Sequence, residues 1–140
     1  MIQQWQRPRP GTGNAPALLL PKDAKSPRIA RKFARSRVVE DAPGASDEHL
    51  DTVALLVSEL VTNAVRYGSR PGDAVHVVID ADESRTRVEV MDHSRRRPRR
   101  RRNAAPGTRG RGLLLLDVLS ARWGVDARPL GKAVWAEVRR

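Results

Sequence analysis

The stretch from Val53 to Gly68, VALLVSELVTNAVRYG, constrains the fold more than any other part of the chain. Wound at about 100° per residue, it gathers Val53, Leu56, Val57, Leu60, Val61, Ala64 and Val65 into one broad apolar arc, the pattern of a helix packed on a core. Glu59 and Asn63 lie just outside the edge of that arc, beside Leu56 and one turn apart. A core-packing helix thus holds a carboxylate and a carboxamide at the rim of its core. A partly desolvated Glu can accept a proton, and an Asn carbonyl oxygen is a hard, neutral ligand for Mg2+. The same pattern also describes an ordinary amphipathic helix with a polar edge, so the rest of the chain must decide.

The chain has 140 residues, of which 39% are hydrophobic, enough for one domain with a single modest core. Residues 1–15, rich in Pro, Gly, Gln and Arg, read as a disordered tail, and residues 16–140 as one domain. There is no run of about 18 apolar residues for a membrane span, and the start, MIQQWQRPRPGTGNAP, lacks the apolar stretch of a signal peptide. A cytoplasmic protein is expected. The chain has no cysteine, which excludes disulfides, zinc-thiolate sites and thiol nucleophiles and leaves carboxylates, hydroxyls, histidines or a bound cofactor for any catalysis. His49, His76 and His93 are far apart and show no metal-ligand spacing.

The net charge of +11 invites a nucleic-acid reading, but its origin is local. Arg95, Arg96, Arg97, Arg99, Arg100, Arg101 and Arg102 supply seven of those charges, and taking them from +11 leaves +4. The run contains Pro98 and no interleaved aromatics to stack on bases, so it reads as a solvated loop rather than a nucleic-acid face.

Ala17 to Leu20 suggest an edge strand. Ser26 with Pro27 opens a first helix, whose apolar face is Ile29, Ala30, Phe33, Ala34 and Val38. Ser46, followed by Asp47 and Glu48, opens the second, longer helix. Two β-branched runs follow, Ala74 to Asp80 and Arg85 to Asp92; in the latter, Val88 and Val90 alternate with Arg87 and Glu89, giving one buried and one wet face. Beyond the arginine loop come an apolar helix, Leu113 to Trp123, and a closing hairpin of Val125 to Ala127 and Ala133 to Val138. This order predicts an α+β fold, a two-layer sandwich with helices on one face of a mostly antiparallel sheet. The other sheet face is expected to be wet or a partner surface.

Asp92 stands where a strand gives way to a loop, and its carboxylate can accept a hydrogen bond from an exocyclic amine such as that of adenine; capping a turn is the plainer role for such an aspartate. Gly110-Arg111-Gly112 directly precedes a helix, where small residues let the backbone approach phosphate oxygens and free N–H groups form an anion site. A flexible hinge into the helix fits those glycines equally. The arginine loop between these two sites is placed to fold over a bound nucleotide. Neither GxxxxGK[ST] nor GxGxxG occurs.

The order Glu59-x-x-x-Asn63, Asp92-His93-Ser94, Gly110-Arg111-Gly112-Leu113 and Gly131-Lys132-Ala133-Val134-Trp135 resembles the GHKL ATPase superfamily, and within it the small anti-sigma-factor serine/threonine kinases of Gram-positive bacteria. The resemblance covers about residues 17–138. It implies a Bergerat-type sandwich with ATP between helices and sheet. By motif, Asn63 would coordinate Mg2+ and Glu59 would be the base that activates a substrate serine. Asp92 would read the adenine amine, and Gly110, Arg111, Gly112 and Leu113 would form the phosphate segment, with residues 95–109 as a lid. It also implies a sigma factor and a small antagonist protein as partners, and a homodimer by analogy. Ser94 and Arg96 stand where the DxGxG pattern has glycines, which stiffens the hinge of the lid, and Ala133 stands where a Thr is frequent, which removes a hydroxyl from the adenine surroundings.

Three functions follow from these residues: a serine/threonine protein kinase that phosphorylates an antagonist, an ATP-binding regulator without catalysis, and nucleic-acid binding through the arginine loop.

Overall fold

The computed structural model describes residues 16–67, 73–92, 111–129 and 131–140. The tail of residues 1–15, the lid of residues 95–109, His93, Ser94 and Gly110 lie outside them. Elements follow in the order β1 (Ala17–Pro21), α1 (Ser26–Asp41), α2 (Asp47–Tyr67), β2 (Ala74–Ala81), β3 (Arg85–Asp92), α3 (Arg111–Leu119), β4 (Arg122–Arg128) and β5 (Gly131–Arg139). The strands form one antiparallel sheet in the order β1-β2-β3-β5-β4. The expected α+β sandwich is what the chain adopts. No helix among the described residues is long and apolar enough to cross a membrane.

The inner face of the sheet carries the core. Val75, Val77 and Ile79 of β2, Val88 and Val90 of β3, and Val134, Ala136 and Val138 of β5 are all buried at alternate positions, as period-2 patterning requires. Against them α2 lays Val53, Leu56, Val57, Leu60, Val61 and Ala64, all buried, with Val65 partly so, in the arc its sequence predicts. α2 packs on β3 and β5, α1 on β1 and β2, and α3 on α2 and β4. α1 packs on α2 as well as on the sheet and buries Ala30, Ala34 and Val38, at i, i+4 and i+8 on one helical face. Ile29, expected on that face, is 44% exposed, because the contact stripe is narrower than the apolar sequence suggests.

Helix ends follow local chemistry, with two corrections. At α2 the Ser46 hydroxyl accepts from the His49 amide at 3.1 Å, the expected N-cap bond. Ser26, by contrast, is the first residue of α1 rather than its cap: it is fully buried and donates its hydroxyl to the Pro21 carbonyl at 2.5 Å, tying the helix back to β1. α3 is shorter than predicted. It stops at Leu119, and Arg122 and Trp123, expected in the helix, belong to β4. The Ser120 hydroxyl donates to the Leu116 carbonyl, Ala121 donates its amide to the Glu137 carbonyl at 2.8 Å, and Arg122 then grips the Glu137 carboxylate. Pairing with β5 outcompetes a further helical turn. Between α1 and α2, Gly44 has φ +93, a conformation that an L side chain rarely adopts.

The outer face of the sheet is not wet in the way the alternation suggested. Arg87, Glu89, Trp135 and Glu137 are all less than a tenth exposed. Glu137 accepts two bonds from Arg122, at 2.7 and 3.1 Å, and lies 3.6 Å from Arg87 and 3.7 Å from Arg85. Glu89 accepts from Arg128 at 2.9 Å, and Arg87 stacks over the Trp135 ring at 4.6 Å. Long charged side chains thus cover this face with their own stems and pair their heads.

Candidate functional site

Alternation of side chains on β3 sends Asp92 to the same face as Val88 and Val90, toward the helices. Asp92 is the last residue of the strand and is 8% exposed, so a carboxylate sits at the edge of the core. Its partner across the sheet is Lys132 of β5, 9% exposed, with Nζ 4.0 Å from Asp92 Oδ2. Burial pushes the Lys132 ammonium below its ordinary range, the Asp92 charge opposes that, and the charge of Lys22 adds to it. Position 133, where a lost hydroxyl was expected to matter, pairs with Met91 and Asp126 and so faces the opposite side of the sheet. The residue of the closing strand that confronts Asp92 is Lys132. Its type was visible in the sequence, but the register that brings it there was not.

α2 delivers the other polar groups. At its start, the buried His49 ring nitrogen Nε2 lies 2.8 Å from the Thr86 hydroxyl, fixing that end beside the start of β3. At its other end the chain rejoins the sheet at Ala74, whose neighbour Val75 lies beside the Asp92 end of β3. The helix therefore runs along β3 in the same direction. Roughly 20 Å of helix at about 1.5 Å per residue separates His49 from Asn63, and roughly 20 Å of strand at about 3.3 Å per residue separates Thr86 from Asp92. Glu59 and Asn63 are both half-buried on α2, one turn apart, at the rim of its apolar arc.

The third group is the start of α3. Arg111, Gly112 and Leu113 form its first turn, while Gly110 lies outside the described residues. The helix is held against α2 and the core by the fully buried Leu116, with Leu115 and Leu119 packed beside it. The first amides of any helix lack intrahelical acceptors and carry the positive end of its dipole. α2, the end of β3 and α3 thus share one side of the sheet. A different, polar cleft of about 770 Å³, lined by Ser84, Arg85, Asp117, Arg122, Glu137 and Arg139 among others, opens by the far end of β3; none of Glu59, Asn63 or Asp92 lines it.

A family model described as the histidine kinase-like ATPase domain matches residues 20–138. The chain belongs to that family. No curated protein matches it. Among the described residues the match begins within β1 and takes in the three helices and β2 to β5 almost to the end of β5, so the fold and the order of its elements are those of a nucleotide-binding sandwich. Membership makes this an ATP-binding regulatory domain; domains of the kind bind ATP, typically with Mg2+. The side chains present fit such a ligand: a buried carboxylate at the strand end for an amine, an amide oxygen on α2 suited to a hard cation, and helix-terminal amides for phosphate.

Proposed function

We propose that this ATPase domain is an anti-sigma-factor serine/threonine kinase, which transfers phosphate from Mg-ATP to a serine of a small antagonist protein and also binds a sigma factor. The observation that carries the reading is Asp92, a carboxylate buried at the end of the central strand on the helix-facing side. An acceptor placed there, in a dry setting, selects a base that presents an amine.

In this reading Asn63 and the first turn of α3 hold the Mg-triphosphate, and the ligand supplies the transferable phosphoryl group. Glu59, half-buried beside Asn63, accepts the proton of the attacking hydroxyl. Positioning and electrostatics supply most of the acceleration, as in other phosphoryl transfers. Supporting it are the family membership and the packing of α3 on α2 and of α2 on β3, the elements that carry these residues.

The test separates binding from transfer. Asn63→Ala is expected to abolish Mg-ATP binding in calorimetry, whereas Glu59→Ala is expected to bind ATP normally and to lose transfer of labelled phosphate to the antagonist. Equal ATP affinity in the wild type and Asn63→Ala overturns the assignment. A wild type that binds ATP yet phosphorylates no antagonist supports a second reading, a non-catalytic ATP-binding regulator, which the Ser94 and Arg96 replacements of the usual glycines favour.

A further inference from the structure

A carboxylate alone at a base-binding position accepts from the amine of adenine and repels the carbonyl that guanine carries at the same place. Here the carboxylate is not alone. Lys132 stands directly across from Asp92, its ammonium 4.0 Å from the carboxylate oxygen, and both side chains are about nine-tenths buried or more. The pair displays one acceptor and one donor side by side. The Watson–Crick edge of either purine offers a matching pair: adenine an amine hydrogen beside an acceptor nitrogen, guanine a carbonyl oxygen beside an N–H.

We propose that Lys132 is a specificity-determining residue of the nucleotide site, its ammonium giving the guanine carbonyl a donor and so letting the domain bind GTP as well as ATP. The inference rests on the nucleotide-binding reading above and adds the choice of base to it. Lys22 strengthens the case. Its ammonium is buried with no hydrogen-bonding partner among the described residues, and its charge reaches Lys132. Its positive charge adds to that of Lys132, a local field that favours an electron-rich carbonyl over an amine hydrogen. Without the ammonium, Asp92 alone faces and repels the guanine carbonyl, whereas the adenine amine keeps its acceptor, so removing the donor penalises guanine more than adenine.

The experiment measures ATP and GTP dissociation constants by calorimetry for the wild type, Lys132→Met and Lys132→Arg, with thermal melts to establish folding. Wild type is expected to distinguish the two nucleotides by less than about tenfold, Lys132→Met to lose about tenfold or more of its GTP affinity relative to ATP, and Lys132→Arg to keep GTP binding. If Lys132→Met does not fold, Lys132→Gln takes its place, with a smaller loss of the same sign. Parallel changes for both nucleotides overturn the inference while leaving the nucleotide site intact. A wild type that binds neither nucleotide overturns the site itself, and the inference with it.

Discussion

Gly124 shows how little room a single position can leave. It lies opposite Trp135 on the outer face of the sheet, and a Cβ built on it would come within 2.8 Å of the indole ring. The ring cannot swing away, because Arg87 stacks on it and Glu89 occupies the next position across the sheet. A methyl group there must displace an aromatic side chain that is 97% buried, given its 3% exposure. Gly124→Ala is therefore expected to cost about 1–3 kcal/mol, the usual penalty of overpacking, read from urea unfolding. Gly124 stands in the sequence with nothing to mark this role; its neighbour is supplied by a strand that comes later in the chain. Lys132 is the same kind of case, a residue whose importance comes from what the register places opposite it.

Between elements, Glu137 is the group that clamps three strands together. Burial pushes its carboxyl upward, but the Arg122 hydrogen bonds and the charges of Arg85, Arg122 and Arg87 outweigh that and hold it below the usual carboxylate range. Because the carboxylate is buried among cations that would be left uncompensated, Glu137→Gln is expected to destabilise the fold by about 3 kcal/mol, checked by denaturant midpoint at neutral pH. The clamp also explains the boundary that sequence periodicity misplaced. Leu113 to Trp123 reads as one apolar helix, yet Arg122 and Trp123 pair with β5, where Glu137 and Ala136 are their register partners. A second anchor fixes the crossing: the Trp123 indole N–H donates to Asp117 of α3 at 2.8 Å. Local pattern cannot weigh a helical turn against a ladder whose other strand is still to come.

Across the whole molecule, the two layers are joined at one end by His49 and Thr86. Burial lowers the His49 pKa, the Arg139 backbone opposes in part, and the Arg140 charge lowers it further. A histidine with a depressed folded pKa is neutral in the fold, while the unfolded chain takes up the proton near pH 6.5. This contribution to stability is thus complete above about pH 6.5 and declines as pH falls from there toward the folded pKa. Thermal melts are expected to show a falling midpoint below about pH 6.5, and His49→Asn, which cannot titrate, to flatten that slope; an unchanged slope would count against His49 as its source.

The α+β architecture, the two long helices, the Ser46 cap and the buried arc of α2 were legible in the sequence because each follows from periodicity or chemistry within one segment. Asp92 was legible as a strand-end acid for the same reason. The order β1-β2-β3-β5-β4, the ion-paired outer face, the early end of α3 and the meeting of Lys132 with Asp92 were decided only by tertiary structure. Each depends on which residue of one strand lies opposite which residue of another, and a shift of one position would turn every side chain to the other face.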